Sequence, residues 1–121
     1  MNKICLSSRD ELLIIDLDKV AFLKANGNYT ELSYMTGQKV MMSLGLAKAE
    51  ELIKKSLPKD NPSSFVKLGR SIIINEKFLT HISTLKQKVI LSDGGDLSYS
   101  ISIPKQLLRK YKELINKKFN Q

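Results

Sequence analysis

The chain has 121 residues, 42% of them apolar, with one cysteine and one histidine. That length can bury a core without disulfide or metal support, and the lone cysteine and lone histidine supply neither an internal disulfide nor a zinc ligand set. Twenty Lys and Arg against twelve Asp and Glu leave a net charge of +8 and a pI near 9.6, a balance that draws polyanions such as nucleic acid or an anionic membrane surface. The opening "MNKICLSSRDE" turns polar after Ile4, Cys5 and Leu6, which does not fit a signal peptide. The apolar runs "LLII" and "SIII" are far too short to span a bilayer. The expectation is a single soluble, cytoplasmic domain over residues 1–121.

Strands fill the first half of the chain. "KICLSS" (Lys3 to Ser8) and "ELLIID" (Glu11 to Asp16) flank a polar hairpin-like connection. "VAFLKA" (Val20 to Ala25) suits a pleated, half-buried surface, and "TELSYM" alternates Leu32 and Tyr34 with Glu31 and Ser33. Thr36-Gly37 turns the chain into "QKVMMS". The period then changes: Leu46, Ala49, Ile53 and Leu57 recur at helical spacing, with Ser43 as a candidate N-cap and Pro58 as the stop. "PKDNPSS" is a loop by composition. Strands resume with "FVKL", "SIIIN", "FLTHIS" and "KVILS", and Asp93-Gly94-Gly95 turns the chain into "LSYSISI". There Tyr99, Ile101 and Ile103 face one way, and Ser98, Ser100 and Ser102 the other. A final helix starts near Pro104, with Leu107, Leu108, Tyr111, Leu114, Ile115 and Phe119 as its apolar stripe and Lys105, Arg109, Lys110, Lys112, Lys117 and Lys118 on its other faces. The whole is a mainly β domain with a few short helices, one internal and one C-terminal.

No catalytic constellation can be assembled from these residues. His81 sits within the apolar-alternating "FLTHIS", where a structural place is expected, and Cys5 within "KICLSS" is expected to be an inert buried side chain. The sequence contains no GxGxxG, P-loop or HExxH motif. Asp93 and Asp96 lack calcium-loop spacing and read as turn chemistry. The expectation is a non-enzymatic protein with no metal and no cofactor.

Two polar interruptions stand out. In "KANGNYTEL", Asn26 to Thr30 separate a pair of apolar strands with more hydrogen-bonding groups than a two-residue hairpin turn requires. In "FVKLGRSIIIN", Lys67, Gly69, Arg70 and Ser71 do the same. Together with the helix ending "KKSLP" and the turn "SDGG", these segments resemble the LytTR family of bacterial DNA-binding domains over roughly Lys3 to Tyr111. The resemblance implies an elongated β-sheet sandwich whose loops, rather than a recognition helix, enter successive major grooves of double-stranded DNA. It implies two copies on tandem direct repeats, a homodimer assembled on DNA, and a sensor or second regulator as input.

On the positions matching the family's motif, the implied contact residues are Asn26, Gly27, Asn28, Tyr29, Lys67, Arg70, Ser71, Lys105 and Gln106. Arg70 is a planar five-donor fork suited to guanine O6 and N7 or to phosphate. Asn26 and Asn28 can read adenine bidentately, bond phosphate, or bond only their own loop backbone. Gly27 lets the backbone bend or approach closely. Tyr29 can pack inward or bond phosphate through its hydroxyl, and Lys67 and Ser71 are natural phosphate contacts, although Ser71 can equally cap or support its loop. Lys105 and Gln106 fall at the family's third contact region. Two departures stand there: Gly69 occupies a frequent histidine position, and Ile103 occupies the arginine position of the family's "VSR".

Two other functions compete. A LytTR-like module that modulates other regulators without binding DNA would explain Gly69 and Ile103. A single-strand or RNA-binding β-domain would stack bases on exposed aromatics, of which this chain has few. Membrane-surface binding through the basic helix would need a second anchor.

Overall fold

In the computed structural model, which describes residues 2–58 and 63–120, period-2 alternation becomes ten strands and the two helical patterns become two helices. Lys59 to Pro62, within the expected "PKDNPSS" loop, lie outside the described residues. Residue contacts cluster into two units, 1–75 and 76–121. The mainly β class with one internal and one C-terminal helix is borne out.

In the first unit, β1 (Lys3–Ser7) and β2 (Leu12–Asp16) form an antiparallel ribbon with Cys5 opposite Ile14. Ile4 and Ile15 point into the core, which leaves Cys5, Leu12 and Ile14 on the outer face. Cys5 is therefore exposed, against the expectation of a buried thiol. Alternation sets which residues share a face, but not which face is covered. Leu17–Lys19 follows as a short 3-10 turn, with the Asp16 carboxylate accepting from the Asp18 N–H at 3.2 Å.

The main sheet contains β3 (Val20–Asn26), β4 (Tyr29–Tyr34), β5 (Lys39–Met42), β6 (Phe65–Lys67) and β7 (Ile72–Asn75), in the order β5-β4-β3-β7-β6. Every neighbouring pair is antiparallel. Helix α1 (Leu46–Ser56) places Leu46, Ala49 and Ile53 in one core cluster with Leu23, Leu32, Met42 and Ile73. Its N-cap is Gly45, without a side-chain cap, and not the expected Ser43. The helix ends at Ser56, and Leu57 is extended before Pro58, as the ring of a proline demands of its predecessor.

Asn75 locks this unit from inside. It is 1% exposed; its amide donates to the Val20 carbonyl at 2.8 Å and its oxygen accepts from the Ser64 hydroxyl at 2.7 Å. A buried carbonyl stripped of its donor keeps the full desolvation penalty.

The second unit opens with a 3-10 turn at Glu76–Phe78, then β8 (Leu79–Ser83), β9 (Lys88–Ser92) and β10 (Ser98–Ser102) in the order β10-β9-β8, and ends with α2 (Lys105–Phe119). Val89, Leu91, Ile101, Ile103, Leu108 and Tyr111 are its buried residues. Ser98, Ser100 and Ser102 are exposed, as their alternation predicts, and His81 is exposed as well. The apolar stripe of α2 is narrower than expected, since Leu114 and Phe119 face solvent at 65% and 76% exposure. Glu76 anchors the helix: the Tyr111 hydroxyl donates to one carboxylate oxygen at 2.7 Å and Lys118 to the other at 2.9 Å. Burial of the phenol, followed by the Glu76 charge, raises the Tyr111 pKa far above its ordinary value.

Asn75→Ala is expected to destabilise the protein by about 1–3 kcal/mol, seen as a lower urea midpoint with an unchanged slope. Tyr111→Phe is expected to cost about 1.5–3 kcal/mol, the range for a hydrogen bond to a charged acceptor. The raised pKa adds a signature in pH. Stability from the protonated phenol is complete below the unfolded value of about 10 and erodes as pH rises beyond it. The stability difference between wild type and Tyr111→Phe should therefore shrink in alkaline urea titrations.

Candidate nucleic-acid interface

The first polar interruption is tighter in the folded chain than in the sequence. Ala25 pairs with Thr30 and Asn26 with Tyr29, so only Gly27 and Asn28 lie between β3 and β4. Gly27 has φ +62 while Asn28 is not left-handed, the φ pattern of a type II′ hairpin turn, which takes glycine first. A Cβ at Gly27 would meet no atom within 4 Å, so the tip stands clear of the body. Asn26 and Asn28 are exposed, and Tyr29 is 51% exposed. The expected five-residue interruption is thus a two-residue turn whose flanking polar residues belong to the strand ladder.

The second interruption is also a hairpin turn. The Leu68 N–H donates to the Ile72 carbonyl at 2.9 Å, leaving Gly69, Arg70 and Ser71 between them. Gly69 has φ +80, which glycine adopts without a Cβ penalty. Arg70 and Ser71 are exposed, and Arg70 has no ion pair among the described residues.

Strand pairing brings the two turns side by side. β3 and β7 are antiparallel with Lys24 opposite Ile72, so the start of β7 lies beside the end of β3. The Ala25 N–H carries the ladder into the second turn, donating to the Ser71 carbonyl at 2.8 Å. Met42 opposes Thr30, so the end of β5 reaches the same end of the sheet. Asn26, Gly27, Asn28, Tyr29, Arg70 and Ser71 are thereby gathered there, with Lys67 at the end of β6.

Lys67 is less available than the others. It is half-buried, and its ammonium lies 3.9 Å from Glu50, whose other oxygen is 3.9 Å from Lys54. Pairs this long hold little energy, so Lys67 can turn to a phosphate at small cost. Lys24 is absent from the residues expected from sequence although it begins the "KANGNYTEL" stretch; it is exposed, one residue from Ala25, with no ion pair among the described residues. Its position on β3, two residues before the polar tip, was the available signal.

Lys105 and Gln106 belong to the second unit, exposed in the first turn of α2. That turn has no acidic residue, so Lys105 adds to the positive end of the helix dipole. Ile103, at the family's arginine position, is 2% exposed and offers no polar group. Among the described residues no cluster of His, Cys, Asp and Glu could hold a metal ion, and no helix is long and apolar enough to cross a membrane.

Two antiparallel hairpin turns side by side, rich in amides, hydroxyls and a guanidinium without an ion pair among the described residues, form a surface for a polar, anionic partner. The family model of the LytTr DNA-binding domain matches residues 10–116. The chain belongs to the LytTR family. LytTR domains are DNA-binding domains of transcriptional regulators, so DNA is the partner class this membership implies. Among solved structures, the chain is similar to the LytTr DNA-binding domain of a protein described as a methyl-accepting/DNA response regulator from Bacillus cereus. The TM-score is 0.60 at 22% identity, covering 95% of this chain and 97% of that one, a likeness of fold. No curated protein matches the chain.

The left-handed Gly27 makes a clean test of the LytTR hairpin. Gly27→Ala introduces no clash, so its cost is the backbone penalty of a left-handed residue, about 1–2 kcal/mol. Thermal denaturation should show that loss, while Asn28→Ala, at a position without positive φ, should leave stability within about 0.5 kcal/mol.

Proposed function

We propose that this chain binds double-stranded DNA sequence-specifically as a cytoplasmic bacterial transcriptional regulator, inserting the Gly27-Asn28 and Gly69–Ser71 turns into the major groove. The observation that carries the proposal is the adjacency of the two exposed turns, held by the Ala25–Ser71 hydrogen bond, with an exposed arginine at the centre of one. A major groove admits a two-stranded β-ribbon, the element that each of these tips ends. Arg70 is the base-reading or phosphate-clamping fork. Asn26 and Asn28 contact adenine edges or phosphates, the Tyr29 hydroxyl and Ser71 contact the backbone, and Gly27 permits close approach. Lys67, Lys105 and Gln106 add phosphate contacts. Residues 1–121 act as one domain, two copies occupy tandem direct repeats as a homodimer on DNA, and a sensor or second regulator supplies the input. The function needs no cofactor, catalysis or membrane.

A second function is favoured by one observation: Ile103 is buried where the family's pattern has arginine, and Gly69 lacks a side chain at a frequent histidine position. A module with those two contacts missing would pair with another regulator and modulate it without specific DNA binding.

Selection of bound sequences from random duplexes decides between them. Regulator function predicts an enriched tandem motif, bound with a salt dependence of about 0.9 per neutralised phosphate. The interaction module predicts no enriched motif. On the selected duplex, Arg70→Ala should cost about 1–3 kcal/mol and relax specificity at one position, whereas Lys105→Ala should weaken all duplexes evenly and lower the salt slope by about 1. Unchanged affinity in Arg70→Ala would remove the main assignment.

A further inference from the structure

The two turns are tied at one side by the Ala25–Ser71 bond, and the other side of the first hairpin is laddered to β5, whose last pair is Thr30 with Met42. Thr30 adds a side-chain tie beyond that ladder. It follows Tyr29 in β4, is 0% exposed, and donates its hydroxyl to the Leu44 carbonyl at 2.9 Å. Leu44 lies in the link between β5 and α1, just ahead of a helix start that has no side-chain cap. A threonine in a strand gains nothing from a hydroxyl unless that hydroxyl finds a partner, since a buried O–H without one is costly. Here the partner belongs to a segment outside the hairpin, so the bond fixes the hairpin's base to the link beyond its neighbouring strand.

We propose that Thr30 is a positioning residue for DNA recognition: its hydroxyl, clamped to the Leu44 carbonyl, sets where Asn26, Asn28 and Tyr29 stand relative to the Arg70 turn. The proposal rests on the DNA-reading role given above to the two turns. A short hairpin held at both flanks presents its tip in one orientation. Without the hydroxyl tie, that flank is held by the backbone ladder to β5 alone, and the tip gains freedom to pivot. Base-edge hydrogen bonds need tight placement and suffer from that pivot, whereas long-range attraction between the basic domain and phosphates tolerates it. Thr30 touches no DNA itself, so its loss should change discrimination and leave the electrostatic component of binding alone.

The test is Thr30→Val, which keeps the shape and removes the hydroxyl, with Thr30→Ser as the conservative rescue. Affinity for the selected duplex and for a scrambled duplex is measured across a salt series. A core control, Ile53→Val, on a helix residue away from the tip, shows what a loss of stability alone does. The expected result is a loss of on the order of tenfold for the selected duplex with Thr30→Val, equivalent to about 1.4 kcal/mol. The scrambled duplex should change by less than about twofold with the same salt slope, and Thr30→Ser should restore most of the loss. If Thr30→Val does not fold, Thr30→Cys, of similar size with only a weak donor, takes its place. Equal loss on both duplexes, tracking stability as Ile53→Val does, would overturn the proposal, and so would no loss at all. Backbone order parameters of Gly27 and Asn28 test it without DNA. They should fall in Thr30→Val and not in Ile53→Val, and equal values would reject the clamp. A wild-type protein that selects no sequence would count against the DNA function, while the order parameters still decide the clamp.

Discussion

The pairing of β3 with β7 is the constraint on which the rest of this structure depends. Without it, the chain is a set of local hairpins, each stable only through its neighbours. With it, a hairpin near residue 27 and another near residue 70 join one sheet, with their tips at the same end. The Ala25–Ser71 bond is the last rung of that ladder and the one nearest the solvent. Ladder position sets how closely the two turns stand: without that rung, the pairing of β3 with β7 would stop at Lys24 and Ile72. Ile73 and Leu23, opposite one another and both in the main core, hold the pairing from inside.

Charge works on a different scale from these contacts. Many basic side chains stand near an acid: Lys48, Lys54 and Lys55 with Glu50 or Glu51 on α1, Lys39 with Glu31, and Lys118 with Glu76. The Glu51 carboxyl is held below its ordinary pKa by the hydrogen bond from Lys55 and by the nearby Lys48. Such exposed pairs contribute little to stability and leave the field of +8 largely in place. That field steers a polyanion toward the domain at any orientation and falls with salt. It cannot say which base lies where. On the proposed role, orientation is left to short-range groups on the two tips, where Arg70, with no ion pair among the described residues, keeps its planar fork available.

The legible portion of the fold follows from periodicity. β9 occupies Lys88–Ser92 as its pattern indicates, and α2 begins at Lys105 just after Pro104, because alternation and helical spacing are properties of the local chain. The 3-10 turns at Leu17–Lys19 and Glu76–Phe78 are too short to show any period. Cys5 and Phe119 were misplaced for a shared reason: a stripe of apolar residues tells which side chains point together, not how much of the opposing surface exists to cover them. Ser43 lost the cap to Gly45 because capping preference is weak beside the path that the β5 end imposes on the link. As for the candidate site, the polar residues of both turns were visible as interruptions of apolar strands. Their adjacency was not, since a pairing between residues so distant in sequence leaves no local mark. Nor was the closeness of Glu50 to Lys67, which a helix packed against the sheet creates.

In the proposed DNA-binding role, a two-residue turn is a sparse reader. The β3–β4 tip offers two asparagines and a tyrosine, and the other turn an arginine and a serine, so few base edges can be met by one copy. A helix laid in a groove would present side chains along its length; a hairpin tip presents them at a point. Specificity from so few groups would depend on the accuracy of each placement, which the ladder, the buried hydroxyl of Thr30 and the left-handed Gly27 and Gly69 all serve at this one end of the sheet. The proposed binding of two copies answers this sparseness, because each bidentate contact discriminates by only about 1–3 kcal/mol, and two sparse readers on adjacent sites would multiply their selectivity without any new contact chemistry.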